Sequence, residues 1–215
     1  MEFSDREAEE IVAYAIYKGT FGNDKYTLKA LAISLGTMKF FDIEIQQIIA
    51  QAIYDGKFGN DKDTLKALAI SLETMKFSDR EAQEIVAQAI YDGKFGNDKD
   101  TLKALAISLG TMKFSDIEAL TIIAYAIYEG KFGNDKEVLK ALAASLETMK
   151  FTDIGAQRII ARSIYERKFG SDKDTLKALA ISLGTMKFSD IEAQRIIARS
   201  IYESKFGMIK ILLKL

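Results

Sequence analysis

Four arginines in the last third of the chain, Arg158, Arg162, Arg195 and Arg199, form two pairs with the same i, i+4 spacing. On a helix that spacing puts both guanidiniums of a pair on one face, where their forked donors can hold a carboxylate or a phosphate. The equivalent positions upstream carry Glu10 and Tyr14, Gln47 and Gln51, Glu84 and Gln88, and Thr121 and Tyr125. One turn further on stand Lys18, Asp55, Asp92, Glu129, Glu166 and Glu203. These residue types bind and orient. Bond-making chemistry has little to work with, because the chain has no His and no Cys. Their absence removes the commonest general base, the Cys-His nucleophile and the usual transition-metal ligands. No catalytic, cofactor-binding or metal residue is assigned, no cofactor is expected, and the expectation is a protein that is not an enzyme.

Three other patterns invite a chemical reading. The loop "FGNDKD" clusters acids near Gly, but Asn60, Asp61 and Asp63 lack the alternating twelve-residue ligand spacing of a calcium loop, and a helix-capping role accounts for them. Lysines recur in pairs (Lys25 and Lys29, Lys62 and Lys66, Lys99 and Lys103, Lys136 and Lys140, Lys173 and Lys177) with no aromatic residues between them for base stacking. They read as a solvated helix surface. The tyrosines from Tyr17 to Tyr202 fall at core spacing and read as half-buried packing.

The balance of 30 Lys and Arg against 31 Asp and Glu argues against a general polyanion binder. Nucleic acid is therefore an unlikely partner, and a protein or peptide is favoured. Apolar runs such as "IIAYAIY" at 122–128 are far too short to span a membrane, and the acidic start "MEFSDREAEE" is unlike a signal peptide, so a cytoplasmic protein is expected.

What positions these residues is a repeat. Phe3, Phe40, Phe77, Phe114, Phe151 and Phe188 each open a copy, 37 residues apart. Five full copies (3–39, 40–76, 77–113, 114–150, 151–187) and a truncated sixth (188–215) make a single repeat domain, 1–215. Copies two and three differ at six positions, which marks recent duplication or design. In copy one, Ser4-Asp5-Arg6-Glu7 reads as a capping box. Ala8, Ile11, Val12, Ala15 and Ile16 then recur at helical spacing, predicting a helix A over about 5–17 that closes at Gly19 or Gly22. Asn23 is the expected cap of a helix B carrying Leu28, Leu31, Ala32 and Leu35 and ending near Met38. The fold class is all-α: an α-solenoid of stacked helical hairpins in which each copy is the packing partner of the next.

The architecture resembles the two-helix α-solenoids, such as tetratricopeptide and HEAT-type arrays, though the tetratricopeptide Trp, Gly-Tyr and Pro pattern is missing. The run Ala52, Asp55, Gly56 and Leu65 is faintly similar to the tellurite-resistance (TerB-like) helical domains, which are linked to metal stress. Lys18 departs from that run in copy one, as do Arg167 and Ser204 in copies five and six. The α-solenoid resemblance implies a non-catalytic scaffold or interaction module.

Stacking lines up the variable positions of helix A as a ribbon of six rows. The ribbon is either a recognition stripe or a set of tolerant solvent positions that have drifted. Net charge is −2, −1 and −2 in copies two to four, then +3 and +2 in copies five and six. This gradient supports a second reading, a binder of an acidic ligand or nucleic acid through the Arg-bearing end. The closing "MIKILLKL" sets six apolar residues around Lys210 and Lys214. It either covers the end of the array in cis or joins two chains as a homodimer.

Overall fold

Aspartate starts nearly every helix. In the computed structural model, which describes residues 5–38 and 40–203, the first helices of the copies (the A helices) are α1 (Asp5–Lys18), α3 (Ile43–Tyr54), α5 (Arg80–Tyr91), α7 (Ile117–Tyr128), α9 (Ile154–Tyr165) and α11 (Ile191–Tyr202). The second helices (the B helices) are α2 (Lys25–Leu35), α4 (Lys62–Met75), α6 (Lys99–Thr111), α8 (Lys136–Ser145) and α10 (Lys173–Thr185). Among the described residues there is no strand.

The cap of each B helix is Asp24, Asp61, Asp98, Asp135 or Asp172; in copy one that is one residue beyond the expected Asn23. The carboxylate of Asp61 accepts from the backbone N–H of Asp63 and of Thr64, both at 3.1 Å. The A helices show the same shift: Asp79, Asp116, Asp153 and Asp190 cap them, not the preceding Ser or Thr, and Asp42, which follows Phe41, caps α3. Ser4, the expected cap of copy one, lies outside the described residues, as do residues 204–215, which include the closing tail.

A helices pack on A helices and B on B, each against the helix two before and two after it in the chain. The result is two layers with one continuous core between them, filled from both sides by residues such as Ile16, Ile49, Leu68 and Leu72. Phe58, Phe95, Phe132 and Phe169, from the loop joining A to B, are 1–2% exposed. Burying a side chain of that size contributes about 1.5–3 kcal/mol. Phe21 holds the same place in copy one, where no copy precedes it, and is 37% exposed.

The loop turns on glycines in the left-handed region, Gly56 (φ 69°) and Gly59 (φ 71°) in copy two. Arg167 takes the first of these places in copy five at φ 60°, a conformation L side chains rarely adopt.

Polar side chains inside the array register one copy on the next. In the B layer, Ser71, Ser108, Ser145 and Ser182 are buried, and each hydroxyl donates to a carbonyl of the preceding B helix, at Ala32, Ala69, Ala106 and Ala143, over 2.6–2.7 Å. Thr74 and Thr148 add bonds of 2.6 Å to the carbonyls of Gly36 and Gly110. A Cβ on Gly36 would lie 2.9 Å from Ser71 Oγ and 3.0 Å from Thr74 Oγ1, so glycine is what permits this approach. Where the preceding copy has Glu73 or Glu147, Thr111 and Thr185 bond within their own helix instead. Alternate steps of the array therefore differ.

In the A layer the registering group is a buried glutamine. The Gln83 amide nitrogen donates to Phe77 O (3.0 Å) and Ser115 Oγ (3.3 Å), while its oxygen accepts from the N–H of Ser115 (2.8 Å) and of Asp116 (3.0 Å). Gln46 and Gln157 do the same at their junctions. Copy four has Leu120 there, so the junction of copies four and five lacks this clamp.

Two outcomes are expected. Gln83→Leu removes four hydrogen bonds and leaves buried groups unpaired, at a cost of about 1–3 kcal/mol, whereas Leu120→Gln acts in the opposite direction and raises the urea midpoint. Equal losses from both substitutions would show that the clamp does not register the copies. Backbone hydrogen bonds from Thr27, Thr64, Thr101 and Thr175 hold the carboxyls of Asp24, Asp61, Asp98 and Asp172 below their ordinary value of 3.8. Their folded pKa values lie below the unfolded ones, so the stability they lend is complete above that value and is lost as pH falls through the depressed values. With no His in the chain, urea midpoints should be level from pH 8 to pH 5 and fall steeply only below about pH 4.

Candidate functional site

The i, i+4, i+8 spacing places the ribbon on the A layer's outer side, and the residues there sort into pins and open positions. Tyr14 and Tyr125 are 39% and 46% exposed. Tyr14 donates to Glu44 of the next copy at 3.2 Å, which raises the pKa of its phenol. Glu10 is exposed, and Glu84 is half-buried in an ion pair with Arg80 at 2.9 Å. Gln51 and Gln88 donate to Asp55 and Asp92 on their own helices at 2.7 and 3.0 Å. Gln47 reaches across the junction to Asp79 and Glu81 at 3.1 and 3.0 Å. The Thr121 hydroxyl turns back to the Ile117 carbonyl. Gln88, Tyr91, Ile122, Tyr125 and Glu129 line a groove of about 240 Å³ between α5 and α7.

The acids at the third position of the ribbon receive the tyrosines of the preceding copy. Tyr54, Tyr91, Tyr128 and Tyr165 donate to Asp92, Glu129, Glu166 and Glu203 over 2.9–3.3 Å. A cation from the next copy lies over the same rings. Lys94 is 4.8 Å from the Tyr54 centroid, Lys131 4.7 Å from Tyr91 and Lys168 5.1 Å from Tyr128. The hydrogen bonds to Asp92, Glu129 and Glu166 raise the phenol pKa of Tyr54, Tyr91 and Tyr128. Tyr17, Tyr54, Tyr91, Tyr128 and Tyr165 are half-buried as expected, and the last four also bond across the junctions, whereas Tyr202 is 85% exposed. Their constant offset from an acid was the signal available in the sequence.

The four arginines do not act alike. Arg158 forms a two-pronged pair with Asp190, Nε and Nη2 each 2.9 Å from a carboxylate oxygen. Asp190 also caps α11 and is 8% exposed. The Arg158 hydrogen bond holds its carboxyl below the ordinary value. Arg158 thus continues a series of grips on the next copy's cap, after Arg6 on Asp42 (2.7 Å), Gln47 on Asp79 and Arg80 on Asp116 (3.0 Å). Arg199 pairs with Glu203 at 2.6 Å and lies 5.4 Å from the centre of the Tyr165 ring. Arg195 is 4.0 Å from Glu192. Arg162 is exposed and has no ion pair among the described residues. Of the four, Arg162 and Arg195 are the least engaged with the rest of the array, and Arg158 is tied to the next copy's cap.

Most of the paired lysines are exposed, as expected; Lys29, Lys66 and Lys103 are half-exposed and reach the next copy, at Asp63 (3.8 Å), Asp100 and Glu137 (both 3.4 Å). Pairs this open contribute little to stability.

No protein-family model matches the chain and no curated protein matches it, so the likeness to tellurite-resistance domains extends no further than the four residues named above. Among solved structures it is similar to the crystal structure of an engineered protein from the Northeast Structural Genomics Consortium, with a TM-score of 0.47 and 18% identity over 95% of this chain and 93% of that one.

The division among the arginines has a direct check in thermal melts followed by circular dichroism. Arg158→Gln should lower the midpoint, because it strips a cap carboxylate of its partner, while Arg162→Gln should leave the midpoint where it is.

Proposed function

We propose that the chain is a non-catalytic helical-repeat scaffold whose A layer holds a protein or peptide partner along the ribbon. The observation that carries this reading is the division of labour just described. Cross-junction bonds through Tyr54, Tyr91 and Tyr128 hold the A helices at fixed spacing. On that fixed frame Tyr14, Tyr125, Arg162 and Arg195 stay open to solvent, and the groove beside Tyr125 is lined by both apolar and polar groups. Exposed tyrosine and arginine on a rigid frame suit recognition: tyrosine offers a large contact area with little freedom to lose, and arginine a planar fork of donors.

A second reading, in which an acidic ligand binds the last two copies, is favoured by Arg162 and Arg195. It uses those two guanidiniums and not the whole quartet.

The test is selection of peptides from a random display library on the intact chain. Enriched peptides should lose binding at least tenfold to a Tyr125→Ala/Gln88→Ala variant. If the acidic reading holds, the enriched peptides are rich in Asp and Glu, bind more weakly as salt rises, and are lost to Arg162→Gln/Arg195→Gln. Selection that yields nothing, or peptides indifferent to both variants, would count against the ribbon as a binding face.

A further inference from the structure

The other layer carries a surface that the ribbon does not use. Ile33, Ile70, Ile107 and Ile181 occupy one position of α2, α4, α6 and α10 and are 53, 51, 46 and 41% exposed. Only α8 interrupts the row, with Ala144. Single exposed apolar residues are ordinary, but a row of them at one position in successive stacked helices is a continuous stripe. Between α4 and α6 the stripe borders a groove of about 380 Å³ lined by Lys66, Ile70, Glu73, Asp100, Lys103 and Ile107.

Charge is ordered along each of these helices. One turn before the isoleucine stands a lysine (Lys29, Lys66, Lys103, Lys177), and α8 has Lys140 at that place. Near the C-terminal ends, in copies two and four, stand the exposed Glu73 and Glu147. Lys66, Ile70 and Glu73 lie at i, i+4 and i+7, on one face.

We propose that this face joins two copies of the chain about a two-fold axis running along the array. Three features select a second copy as the occupant. The stripe repeats with the spacing of the helices themselves, so a partner must carry the same spacing to meet every row, and a second copy does. The two-fold sets each B helix antiparallel to its mate. Lys66 then meets Glu73 of the second copy and Lys140 meets its Glu147, while each isoleucine meets its own mate. The area is also adequate. Five helices about 8–10 Å apart, each presenting about 15 Å of length, cover roughly 600–750 Å² per chain, close to the roughly 800 Å² of a standard stable interface.

Sedimentation velocity on the full chain over a micromolar concentration range tests this. The chain should sediment as a dimer. Ile70→Lys/Ile107→Lys should be monomeric with unchanged helicity, because both positions face solvent in the single chain. Lys66→Glu should weaken the dimer about tenfold through like charges across the contact. The double swap Lys66→Glu/Glu73→Lys should restore it, since the two-fold pairs these positions with each other. A chain that stays monomeric up to about 100 µM overturns the proposal. So does a dimer that survives the isoleucine variant, or a double swap no tighter than Lys66→Glu alone.

Discussion

Each described B helix after the first is tied to its predecessor by a serine hydroxyl that cannot find water. Ser71, Ser108, Ser145 and Ser182 are buried, and a buried hydroxyl left unpaired is costly. Each reaches a carbonyl 39 residues earlier: those of Ala69 and Ala106 lie inside their helices and offer a second lone pair, while those of Ala32 and Ala143 lie in a last turn, where Gly36 and Glu147 donate to Ile33 and Ala144 instead. A bond of 2.6–2.7 Å from a side chain as short as serine brings the two helix backbones close together. Small residues at the contact follow from that closeness, as do the one-residue precision of the register and the fixed platform the A layer presents. An apolar core alone would hold the copies together without setting how far one slides on the next.

These inner polar contacts were the hardest feature to read from sequence, while the architecture was open to view. The constant 37-residue spacing of Phe3 to Phe188 and the two apolar stripes per copy were enough to predict stacked hairpins, because helical periodicity is local. The caps were displaced by one residue, since Ser-Asp and Asn-Asp each offer two adjacent cap formers and only the backbone turn selects between them. Ser71 and Gln83 carry no local signal of a contact 39 or 32 residues away. What the serine had in the sequence was constancy: it stands at 34, 71, 108, 145 and 182, while positions of the ribbon such as Tyr14, Gln51, Tyr125 and Arg162 vary.

The arginines show why a spacing argument reaches only so far. Arg158 and Arg162 share a face, but their surroundings come from the following copy. Asp190, 32 residues away, claims Arg158, and among the described residues no acid pairs with Arg162. Electrostatics across a junction depends on how far one helix is rotated against the next, and the spacing within a single helix carries no record of that rotation. Part of the positive charge of the last two copies therefore stabilises the array itself and does not advertise a site.

The alternation of Gly36, Glu73, Gly110, Glu147 and Gly184 means that the unit the array counts in is a pair of copies. A close step, in which threonine reaches the glycine carbonyl, is followed by an open one. Removing copy two would set Gly36 before Thr111 and place two close steps in succession; removing copy three would set Glu73 before Thr148 and place two open ones together. Either cut keeps every hairpin intact yet breaks the alternation of hydrogen bonds at the splice. Cutting out two neighbouring copies preserves it, so the pattern of contacts between copies is kept only when the array is edited in steps of two.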